Sequence, residues 1–322
     1  MKAWFVRRYG GPEVLRFEEV QKPAPGPGEV LIRVHATTVS SADIRIRGCN
    51  LPAGMGFLGR LALGWSRPRQ PIMGTELSGV VEAVGQGVTG FAQGDRVYAF
   101  PGGRQGAHAE YVVLSATGPI AHMPDGMDFH EAAALCFGGT TALHFLRKAG
   151  LQRGQSVLVL GGSGAVGMAM VQLAVHQGAK VTAMTSAANL SLVEAMGATA
   201  LDYRAADMQA LPQRFDIVAD TVGAMDFPTA QRLLEPGGRY LAIAGGMREM
   251  LGSLRRGPEG KRMIVGPAAE RPEDIVELGR LAAQGHCRPH IDRVFGFSDL
   301  PAAHAYVDTG RKRGSVVIAV AE

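Results

Sequence analysis

The chain has 322 residues and a mass of 33.9 kDa, about twice the usual length of one domain, so two domains that each bury a core are expected. With 46% hydrophobic and 19% charged residues, and 44 glycines and 18 prolines spread without a period, it is neither collagen-like nor low-complexity. The net charge of +4 arises from scattered residues, and the densest basic groups, Arg45/Arg47, Arg67/Arg69 and Arg311/Lys312/Arg313, have no interleaved aromatics, which argues against a nucleic-acid partner.

The N-terminal MKAWFVRRYG lacks the apolar core and cleavage site of a signal peptide, and no apolar run reaches membrane-spanning length. A cytoplasmic protein without a membrane partner is expected. Up to about Ile120, short β-rich runs alternate with Gly/Pro turns: Glu29–His35, Glu76–Val84, Asp95–Phe100 and Ala109–Leu114. They read as an antiparallel, barrel-like domain. The segment Cys49–Pro71 interrupts it, with Phe57, Leu58, Leu61 and Trp65 spaced as one apolar helical face. A helix packed on the barrel, a lid over a substrate cleft and a membrane-surface helix are the readings, the last weakened because only Arg60 lies within the helix.

From about Glu131 the rhythm becomes α/β. Helices are expected at Glu131–Ala149, Ala165–Gln177, Asn189–Met196, Met225–Leu234 and Pro272–Gln284, and strands at Ser156–Leu160, Lys180–Met184, Ala198–Asp202, Ile217–Thr221, Arg239–Ile243 and Arg262–Val265. Strict alternation predicts a doubly wound parallel sheet. Arg293–Phe297 and Ser315–Val320 read as strands returning to the first domain, so the domains are expected at 1–125, completed by 285–322, and at 126–284. Cys49, Cys136 and Cys287 are isolated, which excludes a disulfide framework and a four-cysteine zinc site.

The most informative stretch is SVLVLGGSGAVGMAMVQLA, where Gly162-Ser163-Gly164-Ala165-Val166-Gly167 spells G-x-G-x-x-G between a strand and a helix. In such a dinucleotide fingerprint Gly162 permits the turn, Gly164 lets pyrophosphate approach the backbone, and Gly167 lets helix and strand pack closely. The helix N-terminus then offers free N–H groups to phosphates. The second strand ends in Met184-Thr185-Ser186-Ala187-Ala188-Asn189, without an acid until Glu194. NAD selection wants a carboxylate there, so NADP(H) is favoured over NAD(H), with Thr185, Ser186 and Asn189 as donors to a 2′-phosphate. The competing reading is that these residues only cap the next helix. Tyr203 and Arg204, after the third strand, are candidates for the missing partner. Val222-Gly223 and Gly245-Gly246 stand at C-terminal strand ends, where open α/β sheets bind ligands.

Seven blocks in order, among them PGPGEVLIRVHATTVSSADIRIRG, PIMGTELSGVVEAVGQGVTGFAQGDRVYAF, GAHAEYVVL, AALCFGGTTALHFLRKAGLQRGQSVLVLGGSGAVG and FDIVADTVG, give the chain its family likeness. It resembles the medium-chain dehydrogenase/reductase superfamily, in its zinc-less quinone oxidoreductase-like branch. That resemblance implies an α/β protein with a GroES-like β-rich catalytic domain and a Rossmann domain, and a homodimer. It implies that Thr140 and Thr141, read as opening a long helix after Phe137-Gly138-Gly139, contact the nicotinamide half of the cofactor; helix capping is the alternative. At the places where zinc-dependent members carry ligands stand Ser40, Thr75 and the neighbourhood of Cys136–Phe137, so no metal site is expected.

Without zinc, alcohol oxidation loses its Lewis acid, whereas hydride transfer to an activated double bond needs only a donor near the carbonyl oxygen. Zinc-less relatives often place Tyr or Lys two residues after the Asp corresponding to Asp43, and here that position is Arg45. It is the candidate catalytic residue, as an oxyanion stabiliser, against a surface arginine in an IRIR alternation. His108 is read as a solvent or core histidine, and Asp43 and Glu76 as holding loop geometry. The expectation is an NADPH-dependent reductase of quinones or α,β-unsaturated carbonyls acting on a small molecule. A zinc-independent alcohol/aldehyde dehydrogenase and a non-catalytic NADP-binding redox-sensing module are the alternatives.

Overall fold

A computed structural model describes residues 1–51, 54–206, 211 and 213–321. The chain divides into two units, one of Met1–Leu51, Gly56–Phe137 and Glu270–Glu322, the other of Pro52–Met55 and Gly138–Ala269.

In the first unit the run of β-branched residues from Glu29 forms the long strand on which the rest is built. Strands β1 (Lys2–Val6) and β2 (Leu15–Glu19) pair antiparallel, while β3 (Glu29–Val39), β4 (Leu77–Val84), β5 (Arg96–Ala99), β6 (Tyr111–Ser115), β7 (Ile120–His122), β14 (Ile291–Gly296) and β15 (Ser315–Ala319) form one sheet. Its order is β14-β15-β3-β4-β5-β7. β3 pairs through Glu29–Arg33 with β6 and through Ala36–Val39 with β15, both antiparallel, so the C-terminal tail completes this sheet as its sequence suggests. β14 and β15 run parallel to each other, because helix α9 (Leu300–Asp308) crosses over between them. Trp4, Val39, Met73, Leu300, Val307 and Val316 share one buried cluster, and Ile32, Leu77, Val97 and Leu114 another.

Helix α1 (Ser41–Gly48) holds the IRIR text, which is therefore helical and not an alternating strand. Helix α2 (Gly56–Leu63) buries none of its residues, so the packed-helix reading of this segment does not hold; Pro52 and Ala53 of the same segment lie outside the described residues. Helix α8 (Pro272–Ala283) belongs to the first unit, although its sequence spacing groups it with the α/β half. The buried Tyr98 hydroxyl donates to Ile275 O, and Gly279 leaves room for that ring, since a Cβ there would lie 2.6 Å from Tyr98 Oη. Helix α3 (Phe129–Ala149) contains the unit boundary, between Phe137 and Gly138, so 126–137 also counts with the first unit.

The second unit is a parallel six-stranded sheet in the order β10-β9-β8-β11-β12-β13, formed by β8 (Ser156–Leu160), β9 (Lys180–Thr185), β10 (Thr199–Asp202), β11 (Phe215–Asp220), β12 (Leu234–Ala242) and β13 (Arg262–Val265). Helices α4 (Ala165–His176), α5 (Leu190–Glu194), α6 (Phe227–Leu233) and α7 (Met247–Gly252) connect them. The apolar runs are buried because a parallel sheet is covered on both faces. From β8 the chain steps outward to β9 and β10 and then crosses to β11 on the other side, which makes the β8/β11 gap the topological switch point where such sheets bind ligands.

Candidate functional site

At the end of β8 the chain turns sharply into α4. The residue that needs glycine's freedom there is Gly161, at φ +79°, and not Gly162. Gly162 is needed for a different reason: a Cβ on it would lie 2.9 Å from the Ala183 side chain on β9. At Gly167 a Cβ would lie 2.1 Å from Gly161 O, so α4 meets the turn backbone to backbone. Gly138 of α3 makes a similar approach, 2.6 Å from Ala165 O. Gly164 differs from all of these. It is the N-cap of α4 with no side-chain cap, and a Cβ on it would meet only Gly161 O, at 3.5 Å. The space above Gly164 is open, and the first-turn N–H groups of Ala165, Val166 and Gly167 have no intrahelical acceptor. A cradle that a side chain would fill, under a helix N-terminus of partial positive charge, fits a pyrophosphate.

Beside this turn lies a cluster of neutral donors. Thr185 Oγ1 donates to Ser163 Oγ at 2.7 Å, and Asn189 Nδ2 donates to Ser163 Oγ at 3.2 Å and to Ser186 Oγ at 3.1 Å. Neither Ser186 nor Asn189 makes a side-chain cap bond, so the capping reading is replaced by a network around Ser163. Tyr203 N–H donates to Thr185 O, which sets Tyr203 at the same strand end, half-exposed, with Arg204 Nε donating to its hydroxyl at 3.2 Å.

Two more turns stand at the same edge of the sheet. Val222 is exposed and Gly223 takes φ +78°. The residue that shapes this turn is Asp220, which sequence reasoning passed over. Buried at the end of β11, its carboxylate accepts from Val222 N at 3.0 Å, Gly223 N at 2.7 Å, Met225 N at 2.9 Å and Tyr240 Oη at 3.1 Å. The available signal was an acid closing the apolar run Ile217–Ala219. Gly245 follows β12, with a Cβ position 2.9 Å from Val265 Cγ2, and Gly246 is the N-cap of α7, its N–H donating to Glu249 Oε2. Thr140 and Thr141 do not open a helix: α3 runs unbroken through Phe137-Gly138-Gly139, and both threonines are buried within it. Within the pattern that suggested a turn, Gly138 instead lets α3 approach the backbone of Ala165 closely.

In the first unit, Arg45 is half-buried on α1. Its neighbour Arg47 is buried and committed, donating to Asp308 Oδ2 at 2.6 Å, His304 Nδ1 at 3.0 Å and Gly10 O at 3.1 Å, which ties α1 to α9. Ser40 caps α1 in a capping box with Asp43: the Asp43 carboxylate accepts from Ser40 N and Oγ, and Ser40 Oγ accepts from Ala42 N and Asp43 N. Glu76 accepts from the Thr38 hydroxyl and from Phe137 N. Burial raises its carboxyl to about 7, against those two hydrogen bonds. His108 is a core residue whose Nε2 donates to Thr38 O at 2.9 Å. Cys136 is buried beside Ala132 O, and burial holds its thiol well above the usual range. At the three positions that the family resemblance associates with ligands stand a capping hydroxyl, a buried threonine hydroxyl and a buried thiol. Among the described residues no three His, Cys, Asp or Glu side chains come together as a metal cluster.

Comparison with known proteins agrees with this architecture. Residues 26–125 match the alcohol dehydrogenase GroES-like domain, and residues 196–318 match a domain described as zinc-binding dehydrogenase. A 2-methylene-furan-3-one reductase of Solanum lycopersicum is 34% identical over 99% of this chain and 79% of its own. A quinone oxidoreductase of Pseudomonas aeruginosa is 30% identical over 96% of this chain and 97% of its own. Among solved structures, the quinone oxidoreductase of Coxiella burnetii aligns with a TM-score of 0.87 at 28% identity, covering 100% of this chain and 99% of that one.

Proposed function

Because the chain belongs to the medium-chain dehydrogenase/reductase superfamily, among its quinone oxidoreductase-like members, we propose that this oxidoreductase reduces quinones or α,β-unsaturated carbonyls with NADPH and without zinc. The observation that carries the reading is the donor cluster at the end of β9. Ser163, Thr185, Ser186 and Asn189 offer hydroxyl and amide groups where NAD-selective sheets place a carboxylate. A 2′-phosphate accepts from such groups, and Tyr203 and Arg204 stand at the same strand end to add a phenol and a cation.

The remaining contacts follow from the fold. The N-terminus of α4 would hold the pyrophosphate, with Gly164 leaving room for it, and the Val222-Gly223 and Gly245-Gly246 turns would present backbone to the dinucleotide. Thr140 and Thr141 are assigned to its nicotinamide half by the family resemblance alone. When bound, NADPH supplies a hydride to the β-carbon of the substrate. Arg45 would stabilise the negative charge that develops on the substrate's carbonyl oxygen. A guanidinium is a poor proton donor, so solvent completes the reduction.

A panel of quinones, enones and alcohols followed by NADPH absorbance tests the proposal. NADPH oxidation by a quinone or enone, unaffected by chelator, is expected. Alcohol-driven NADP⁺ reduction with no enone turnover would make the chain an alcohol dehydrogenase, and NADPH binding with no turnover at all would make it a non-catalytic module. Arg45→Ala should lower the single-turnover rate about a hundredfold with little change in NADPH affinity, as loss of one oxyanion donor does.

A further inference from the structure

Between Asp43 and Glu76 the chain holds no acidic residue, yet it carries Arg45, Arg47, Arg60, Arg67 and Arg69. Arg47 is spent inside the fold, but Arg60, Arg67 and Arg69 are exposed. The same stretch carries the apolar ridge of α2 and the turn after it. Phe57, Leu58, Leu61 and Trp65 are each half to two-thirds exposed, and Phe57 and Trp65 stack edge to face with centroids 5.9 Å apart. The ridge is moored to the rest of the unit. Tyr9 Oη donates to Gly64 O at 2.7 Å, Arg69 N to Leu63 O at 2.7 Å, and Val6 N to Pro71 O at 2.8 Å. Arg60 donates to Trp65 O at 2.7 Å and lies over the Tyr9 ring.

We propose that this ridge docks the protein on the surface of an anionic lipid bilayer, with Phe57, Leu58, Leu61 and Trp65 entering the boundary between headgroups and acyl chains and Arg60, Arg67 and Arg69 facing the lipid phosphates. The charge pattern selects the occupant. An apolar helix face whose own stretch of chain carries arginines and no acid matches an anionic interface, and tryptophan is an aromatic such boundaries favour. A second copy meeting the same ridge across a two-fold axis would set arginines against arginines, with no acid in the stretch to pair them. No helix among the described residues is long and apolar enough to cross a membrane, so the contact is with the surface. The sequence reading counted only Arg60, within the helix itself, whereas the fold also exposes Arg67 and Arg69 in the segment after the ridge. The inference does not depend on the reductase reading.

The experiment is flotation of the full-length protein with vesicles of phosphatidylcholine alone or mixed with phosphatidylglycerol, with brominated acyl chains to quench Trp65. Binding to the anionic vesicles only, weakened by salt and accompanied by quenching, is expected. Arg67→Ala with Arg69→Ala should lower partitioning roughly twenty-five-fold, about fivefold for each arginine near a charged membrane surface. Leu61→Ser with Trp65→Ser should abolish it. All four positions are solvent-facing, so unchanged far-UV circular dichroism and thermal unfolding will show that the variants are folded. A wild-type protein that stays with the soluble fraction at low salt, or arginine variants that bind as tightly as wild type, would overturn the proposal. So would a dimer in solution that Leu61→Ser with Trp65→Ser dissociates, since a second copy would then cover the ridge.

Discussion

Glu76 offers a quantitative test of how the first unit is built. Its carboxyl is raised from an ordinary 4.5 to about 7, chiefly by burial and further by the Asp43 charge, against the Thr38 and Phe137 hydrogen bonds and the Lys312 charge. Between these two values the folded protein holds a proton that the unfolded chain has released. The contribution of Glu76 to stability is therefore fully present below about pH 4.5 and declines as pH rises to 7, at about 1.4 kcal/mol per pH unit and about 3 kcal/mol in all. Glu76→Gln mimics the protonated form: its amide oxygen can face Phe137 N–H while its NH₂ donates to Thr38 Oγ1, reversing that bond. The histidines whose values burial lowers, His35, His108 and His304, act in the opposite sense, losing stability as pH falls. They are common to both proteins and drop out of the difference. Thermal unfolding of wild type and Glu76→Gln, followed through the buried Trp4 in the first unit, should show the variant gaining about 3 kcal/mol relative to wild type between about pH 5 and 8. For a body of this size that amounts to about 10 °C. Parallel curves across that range would show that Glu76 is ionised throughout and refute the burial argument.

The glycines of the β8–α4 turn should separate binding from folding. Gly164→Val, placed in open space, should leave the unfolding temperature nearly unchanged and weaken NADPH binding about a hundredfold or more in a fluorescence titration, whereas Gly167→Ala, driven against Gly161 O, should cost about 1–3 kcal/mol of stability. Wild-type protein should bind NADPH more tightly than NADH, and Thr185→Asp should narrow or reverse that order by setting a carboxylate against the 2′-phosphate; equal wild-type affinities by calorimetry would remove the donor cluster from cofactor selection. Elemental analysis should find substoichiometric zinc and activity should survive a chelator; one zinc per chain would contradict the reading of Ser40, Thr75 and Cys136. Asp220→Ala should release the Val222–Gly223 turn and weaken NADPH binding about tenfold, with Asp220→Asn recovering part of it.

What the sequence determined by itself is mostly what is local along the chain. Buried parallel strands write themselves as unbroken apolar runs, so β8, β9 and β13 begin where their text begins. A strand, a glycine turn and a helix within one stretch of chain are likewise legible because one backbone path makes all three. Even there, only the folded turn shows that Gly161 carries the positive φ while Gly162 yields to Ala183. Other features belong to the tertiary structure, because they depend on residues distant in sequence meeting in space. α8 joins the first unit through Tyr98, and Asp220 finds Tyr240 on the next strand. Glu76 owes its raised carboxyl to burial between Thr38 and Phe137, and α2 is amphipathic in sequence yet left uncovered by the fold. Periodicity states that a face is apolar; whether that face is buried, and what charge survives beside it, is decided by the packing of the whole unit.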